Sequence, residues 1–289
     1  MVKFAKVSPS EPCAVCGSHD WCTRTTDGGL VRCMRVESDR PSKGGGWIHK
    51  LADPLPPCPP STAQKKLKNV GELAQKMFLH PNADKWRERL ALSLGVSHAS
   101  LRKLAVGYGI DWDGEPWWSF PCRDQKGMII GITRRYRDGK KKTLKGTSNS
   151  GVFCKKRWWA SDCPCLYITE GPSDVAAMID YGLACLGRPS NTGGVSIIAS
   201  MVRRRDIKNI VVIGENDHQP AKRGGIPTCK PDCQGCGHCF PGLFGANVFA
   251  EQLSRQLCRE IDIQMPPGTT KDAREWSLFD FEGLRYYAD

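Results

Sequence analysis

Leu166-Tyr167-Ile168-Thr169-Glu170-Gly171-Pro172-Ser173-Asp174 is the stretch that decides the fold of this 289-residue chain. Its apolar opening, with a β-branched residue and an aromatic, predicts a short buried strand. The strand breaks at Glu170-Gly171. Pro172-Ser173-Asp174 then supplies helix-start chemistry ahead of the apolar-periodic Val175-Ala176-Ala177-Met178. A carboxylate therefore stands at the carboxyl end of a strand beside a helix start, the place where open α/β sheets bind ligands.

The pattern recurs downstream. Asn209-Ile210-Val211-Val212-Ile213 is a second buried-strand run and ends in Gly214-Glu215-Asn216-Asp217. Two acids one residue apart beyond a strand make a half-site for a hard divalent cation. Ile261-Asp262-Ile263-Gln264-Met265 is a third strand, followed by Pro266-Pro267-Gly268 and by Lys271-Asp272 at a helix start. Acid is thus expected at three strand ends: Glu170 (with Asp174 behind it), Glu215 with Asp217, and Asp272. Singly, each reads as a solvated acid; as an ordered set they read as a site for Mg2+ or Mn2+, with Glu170, Glu215 and Asp217 as ligands.

Lysine and arginine number 42 against 30 aspartates and glutamates, a net charge of +12. Such a balance suits a polyanionic partner, nucleic acid above all. The 15 cysteines meet no secretory opening, because Met1-Val2-Lys3-Phe4-Ala5-Lys6 lacks an apolar core, and no run reaches a membrane-spanning length. A cytoplasmic chain whose closely spaced cysteines hold metal is the expectation.

Residues 1–51 are read as a zinc ribbon. Cys13-x2-Cys16 is one knuckle, and Cys22 and Cys33 complete a four-thiolate set. Thr23 to Arg32 reads as a hairpin around Asp27-Gly28-Gly29 that carries the later ligands to the first pair. Arg24, Arg32, Arg35, Arg40, Trp21 and Trp47 suit single-stranded nucleic acid, or the tryptophans form the ribbon's core. Residues 52–62 are a linker, with five prolines between Ala52 and Ser61. Residues 63–160 form a basic α+β subdomain: helical periodicity up to residue 106, with Ser97 capping a turn, then a β-meander with turns at Asp124–Gly127 and Asp138-Gly139. Arg134, Arg135, Lys142 and Lys145 are expected along one side of its later strands, to hold triphosphates or a template backbone. Residues 161–289 hold the three strand ends. A Cys-rich insertion at 218–244 carries Cys229, Cys233, Cys236 and Cys239, read as a second zinc knuckle; the spacing also suits an iron–sulfur cluster. The remaining cysteines read as small buried hydrophobes.

Glu170-Gly171 with Asp174, an acid-x-acid pair after the next strand and Lys271-Asp272 after a third together resemble the Toprim domain. That fold is shared by bacterial and phage DNA primases, type IA and II topoisomerases and some nucleases. The family usually has Asp where this chain has Glu215. Gly127, Ile130-Gly131, Arg135, Lys142, Gly146 and Gly151-Val152-Phe153 resemble the basic subdomain that precedes Toprim in bacterial-type primases. The resemblance implies an α/β, Rossmann-like and mostly parallel sheet, with Arg135 and Lys142 contacting nucleotide or template. It implies a primase that uses nucleoside triphosphates on single-stranded DNA, with Glu170, Asp174, Glu215, Asp217, Lys271 and Asp272 around the reaction. The chain has no P-loop, so a replicative helicase would act in trans. A Toprim-type nuclease and a zinc-containing single-stranded DNA-binding protein are the alternatives.

Overall fold

A computed structural model of the chain describes residues 4–42, 45–52, 67, 69–158, 165–203, 205, 207–217, 222–223, 226–227 and 239–279. It divides into two compact units, residues 1–65 and 66–289.

The first unit is a four-stranded antiparallel sheet in chain order: β1 (Phe4–Lys6), β2 (Thr23–Thr25), β3 (Leu30–Cys33) and β4 (Trp47–Lys50). Its centre is the expected hairpin. Asp27 accepts from Gly29 N–H at 3.1 Å, and Gly28 takes φ +75°, a conformation open to glycine at little strain. The outer strands β1 and β4 were not apparent in the sequence. The core beneath is small, with Val7 and Val31 packed among Cys13, Cys22 and Cys33.

The second unit opens with three helices, α1 (Val70–Phe78), α2 (Ala83–Leu94) and α3 (His98–Lys103). Ser97 caps α3 by accepting from Ser100 N–H at 3.0 Å. An antiparallel meander follows: β5 (Gly107–Ile110), β6 (Pro116–Arg123), β7 (Ile129–Arg135) and β8 (Lys141–Thr143). The turns at Gly127 and Gly139 both have φ +82°.

Beyond it lies a wholly parallel sheet, ordered β10-β9-β11-β14: β9 (Cys165–Thr169), β10 (Ala184–Gly187), β11 (Asn209–Ile213) and β14 (Asp262–Gln264). The connections are α4 (Pro172–Asp180), α5 (Val195–Val202) and α6 (Pro241–Leu257), with a two-stranded ribbon β12 (Lys222–Arg223) and β13 (Ile226–Pro227) before α6. Helix α7 (Ala273–Phe279) follows β14. Because side chains alternate along a strand, the sheet feeds two cores. Tyr167, Val211 and Ile213 join Val175, Met178 and Trp276 on one face, together with Trp86, Leu90 and Leu101 from α2 and α3. Leu166, Ile168, Ile210 and Val212 join Ile198, Phe249 and Leu253 on the other. The α/β class expected from the buried-strand runs is what the chain adopts. Helix α6 begins at Pro241, where the Cys-rich insertion expected at 218–244 has nearly ended.

Close approach of backbone fixes one glycine in the meander. A Cβ on Gly131 would lie 1.9 Å from the Ser148 carbonyl oxygen and 2.7 Å from Cys122 Sγ. Gly131→Ala should therefore destabilise the unit by about 2 kcal/mol. For a unit of this size that lowers Tm by roughly 4–8 °C, measurable by calorimetry.

Candidate active site and metal centre

In the first unit the four thiols converge. Cys13, Cys16, Cys22 and Cys33 place their sulfurs within 4.8 Å of one another, and Cys16–Cys22 and Cys22–Cys33 are 3.7 and 4.0 Å apart. Sulfurs at ~2.3 Å from a tetrahedral Zn2+ lie about 3.8 Å apart, so the spacing fits that ion. The surroundings suit thiolates: Cys33 Sγ accepts from Arg35 N–H at 3.4 Å and Val36 N–H at 3.3 Å. Cys22 Sγ accepts from Met34 N–H at 3.4 Å and from the Arg35 guanidinium at 3.6 Å. This set can hold one zinc ion. Trp21, at φ +63°, stands beside it 77 % exposed, whereas Trp47 is half-buried in β4.

In the second unit the strand ends open into a cavity of about 510 Å³ lined by Glu170, Asp174, Glu215 and Asp272 and by Arg135, Lys141, Arg188 and Lys271. The parallel sheet explains the convergence: β9 and β11 are adjacent and end together, so Glu170 and Glu215 are neighbours although 45 positions apart in sequence. Asp174 lies in the first turn of α4, 3 % exposed, with one carboxylate oxygen buried and unpartnered. Burial pushes its pKa up, and Asp272 and Glu215 push it further. Burial raises Glu215 to about 7, with Glu170 adding to the effect. Burial also raises Glu170, opposed by Arg188. Asp272 caps α7, accepting from Glu275 N–H at 2.9 Å, and pairs with Arg274 at 3.5 Å.

Asp217 stands outside this lining. Its carboxylate accepts from Gly242 N–H at 2.9 Å at the start of α6, yet it is near enough to raise both Glu170 and Glu215. The contact requires a glycine, because a Cβ on Gly242 would lie 2.3 Å from the Glu215 carbonyl oxygen. Asn216 N–H donates to the Lys271 carbonyl at 2.6 Å, tying the loop after β11 to the loop before α7. The donor set is hard oxygen, suited to Mg2+ or Mn2+. Among the described residues, however, the thiols are the one His, Cys, Asp or Glu group of three or more close enough to share an ion; the acids are spaced more widely.

The basic strip divides. Arg134 and Lys142 are cross-strand partners, as are Arg135 and Lys141, so the two pairs face opposite ways. Arg135 and Lys141 face the cavity. Arg134 turns away to Asp111 at 2.7 Å, and Lys142, though part of the cavity wall, sets its ammonium 5.6 Å from the Tyr136 ring centroid. Lys145 is exposed beyond β8 and is absent from the lining. A single side bearing all four is thus replaced by an alternating arrangement. Cys229, Cys233 and Cys236 lie outside the described residues, and Cys239 is buried just before α6. Cys122, Cys154, Cys165 and Cys185 are buried as expected; Cys258 is exposed at the end of α6, because its left-handed φ of +54° makes it the helix cap.

Lys141 and Arg188 are among the cavity residues missed from sequence. Lys141 lay in an undifferentiated Lys140-Lys141-Lys142 run, and only the β7–β8 register selects it. Arg188 follows β10 and is fully buried, a burial that sequence alone gives no reason to expect for arginine. Its guanidinium donates to Asn191 O at 2.6 Å and Thr169 O at 3.4 Å, stacks 5.2 Å from the Phe249 centroid, and leaves Nη2 3.9 Å from Glu170.

No family model matches the chain, and no curated protein sequence matches it. Solved structures do. A DnaG primase catalytic domain bound to single-stranded DNA aligns at TM-score 0.52 and 14 % identity over 75 % of this chain and 76 % of that one. The E. coli primase catalytic core aligns at TM-score 0.50 and 13 % identity over 76 % and 78 %. A DNA primase domain from Pseudomonas aeruginosa aligns at TM-score 0.50 and 16 % identity over 76 % and 77 %. The chain shares the fold of the primase catalytic domain.

Cys22→Ser should remove one equivalent of zinc from the full-length chain, read as metal released per protein by a chromogenic chelator; unchanged stoichiometry would contradict the thiolate assignment. For Glu215, raised from its ordinary 4.5 to about 7, the folded state holds the proton more tightly than the unfolded chain. In protein free of added Mg2+, its contribution to stability is present below pH ~4.5 and is lost as pH rises through about 7. Thermal melts across that window should show the decline, and Glu215→Gln should flatten it.

Proposed function

We propose that the chain is a DNA primase-type nucleotidyltransferase, making short RNA primers on single-stranded DNA by metal-dependent phosphoryl transfer. The observation that carries this reading is one cavity in which acids from three strand ends meet cations, Arg135, Lys141 and Lys271 among them. A triphosphate with its divalent ions needs both kinds of group at once. A shared fold with primase catalytic domains supports it.

Glu170, Glu215 and Asp217 are the residues that would hold Mg2+ or Mn2+, with Asp174 and Asp272 behind them. The carboxylates fit such an ion chemically, since their crowding and the unpartnered Asp174 oxygen call for positive charge. When bound, the metal supplies an activated 3′-hydroxyl and neutralises charge on the α-phosphate and leaving pyrophosphate. The chain's own part is positional. Lys141 and Lys271, with no carboxylate within ion-pair distance among the described residues, are placed to neutralise phosphate oxygens. Arg135 joins them from the meander wall. Arg188 holds Glu170 at the cavity floor from a guanidinium fixed by two backbone carbonyls. Glu170 serves as general base, its carboxylate accepting the proton that the 3′-hydroxyl gives up. The zinc ribbon would bind template through Trp21 and its arginines. Cys229, Cys233, Cys236 and Cys239 would hold a second zinc, and a helicase would be supplied by a separate chain.

The test is labelled-nucleotide incorporation on mixed-sequence single-stranded DNA with Mg2+ or Mn2+. Wild type should yield short RNA, and Glu170→Gln should lower the yield about 100-fold or more while DNA binding persists. Template cleavage in place of synthesis would overturn the reading in favour of a nuclease.

A further inference from the structure

The loop that follows β10 joins two elements that carry the acids. Its Asn191 reaches the start of α6, where the side-chain amide donates to the Pro241 carbonyl at 2.5 Å. The next residue, Gly242, is the one whose N–H holds the Asp217 carboxylate at 2.9 Å. At its other end the loop is tied to β9. Arg188 N–H donates to the Thr169 carbonyl at 2.8 Å, one residue before Glu170, and the Arg188 guanidinium holds the Asn191 carbonyl at 2.6 Å. We propose that Asn191 is a positioning residue for the divalent-metal site: it fixes the start of α6 and so sets where Asp217 stands relative to Glu170. The proposal rests on the reading of Glu170, Glu215 and Asp217 as ligands of Mg2+ or Mn2+.

Three observations carry it. First, α6 lies on the parallel sheet through Ala246, Phe249, Ala250 and Leu253, which belong to an apolar cluster. Apolar contact is non-directional and leaves a helix free to slide by small amounts along its axis. A hydrogen bond is directional, and the one from Asn191 acts on the first turn of α6, next to the residue that holds Asp217. Second, the fit is close. A Cβ on Gly245, one turn beyond Pro241, would lie 1.6 Å from Asn191 Oδ1, so the helix leaves the amide its place only because that position is glycine. Third, Asn191 Oδ1 is buried without a hydrogen-bond partner. A buried unpaired acceptor costs stability, so this amide is a poor choice for holding the fold together. Its N–H is used and its oxygen is not, which marks a side chain retained for where it places the helix.

Mn2+ binding tests this without recourse to turnover. The full-length, zinc-loaded protein would be titrated with Mn2+ and the free ion followed by electron paramagnetic resonance. Asp217→Asn serves as reference, defining which bound Mn2+ belongs to the acidic site. Asn191→Ala removes the donor together with the unpaired oxygen, so its Tm should stay near wild type while its affinity for that Mn2+ falls about 10-fold, the lower end of the effect of groups that orient metal ligands. Gly245→Ala should push the amide off Pro241 and weaken Mn2+ by a similar factor. In the Asn191→Ala background the same substitution should cost nothing further, because both act through one contact. Primer synthesis by Asn191→Ala should need more Mg2+ for half-maximal yield and recover at saturating Mg2+. Unchanged Mn2+ affinity in Asn191→Ala, with or without a fall in Tm, would overturn the positioning role, as would fully additive losses in the double variant. A wild type that binds no Mn2+ sensitive to Asp217→Asn would overturn the ligand assignment itself.

Discussion

Carboxylate crowding at the carboxyl ends of the parallel strands is the constraint on which the second unit depends. Asp174 is almost wholly enclosed, with Asp272 and Glu215 nearby and one oxygen unpartnered. Burying like charges together is costly unless cations or protons offset them. The fold offers both. Lys141 and Arg135 come from a meander whose register turns them inward, Arg274 from α7 and Arg188 from the far side of β9. Each arrives on a different element, so the parallel sheet, the meander and the last helix must all be in place before the cavity is electrostatically tolerable. The tight packing of Gly242 on the Glu215–Asp217 loop shows how little slack remains there.

The two candidate metal sites follow opposite chemistries. Four sulfurs gathered on a small sheet have almost no hydrophobic core to hold them, and an ion that binds all four supplies folding energy outright. The carboxylates sit instead on a sheet with large apolar cores on both faces. The soft candidate site would build its own scaffold, whereas the hard candidate site is set on a sheet that already has two cores.

The sequence was most legible where chemistry is local. The strand–acid–helix pattern at Leu166–Asp174 places Glu170 and Asp174, and repetition of the pattern places Glu215 and Asp272 in the same cavity. Thiol spacing and the Asp27-Gly28-Gly29 turn place the four-cysteine set. Where the answer depends on pairing between strands, the sequence was mute. Arg135 and Lys142 look like partners, but the turn at Gly139 sets a register that pairs Arg135 with Lys141 and turns the Lys142 ammonium toward the Tyr136 ring. Arg188 was invisible for another reason: only the packing of Phe249 and the carbonyls of Thr169 and Asn191 make a buried guanidinium tenable. Strands β1 and β4, three and four residues long, are too short to be seen without their neighbours.

The shared core of the second unit bears on how such a chain can be recombined. Trp86, Leu90 and Leu101 from the opening helices pack in the same cluster as Tyr167, Val175 and Trp276. A cut near residue 160 would strip apolar surface from both halves, so the basic subdomain and the parallel sheet are inherited as one piece. The first unit has its own sheet, thiol set and small core. The division before α1 is thus the natural seam for a graft.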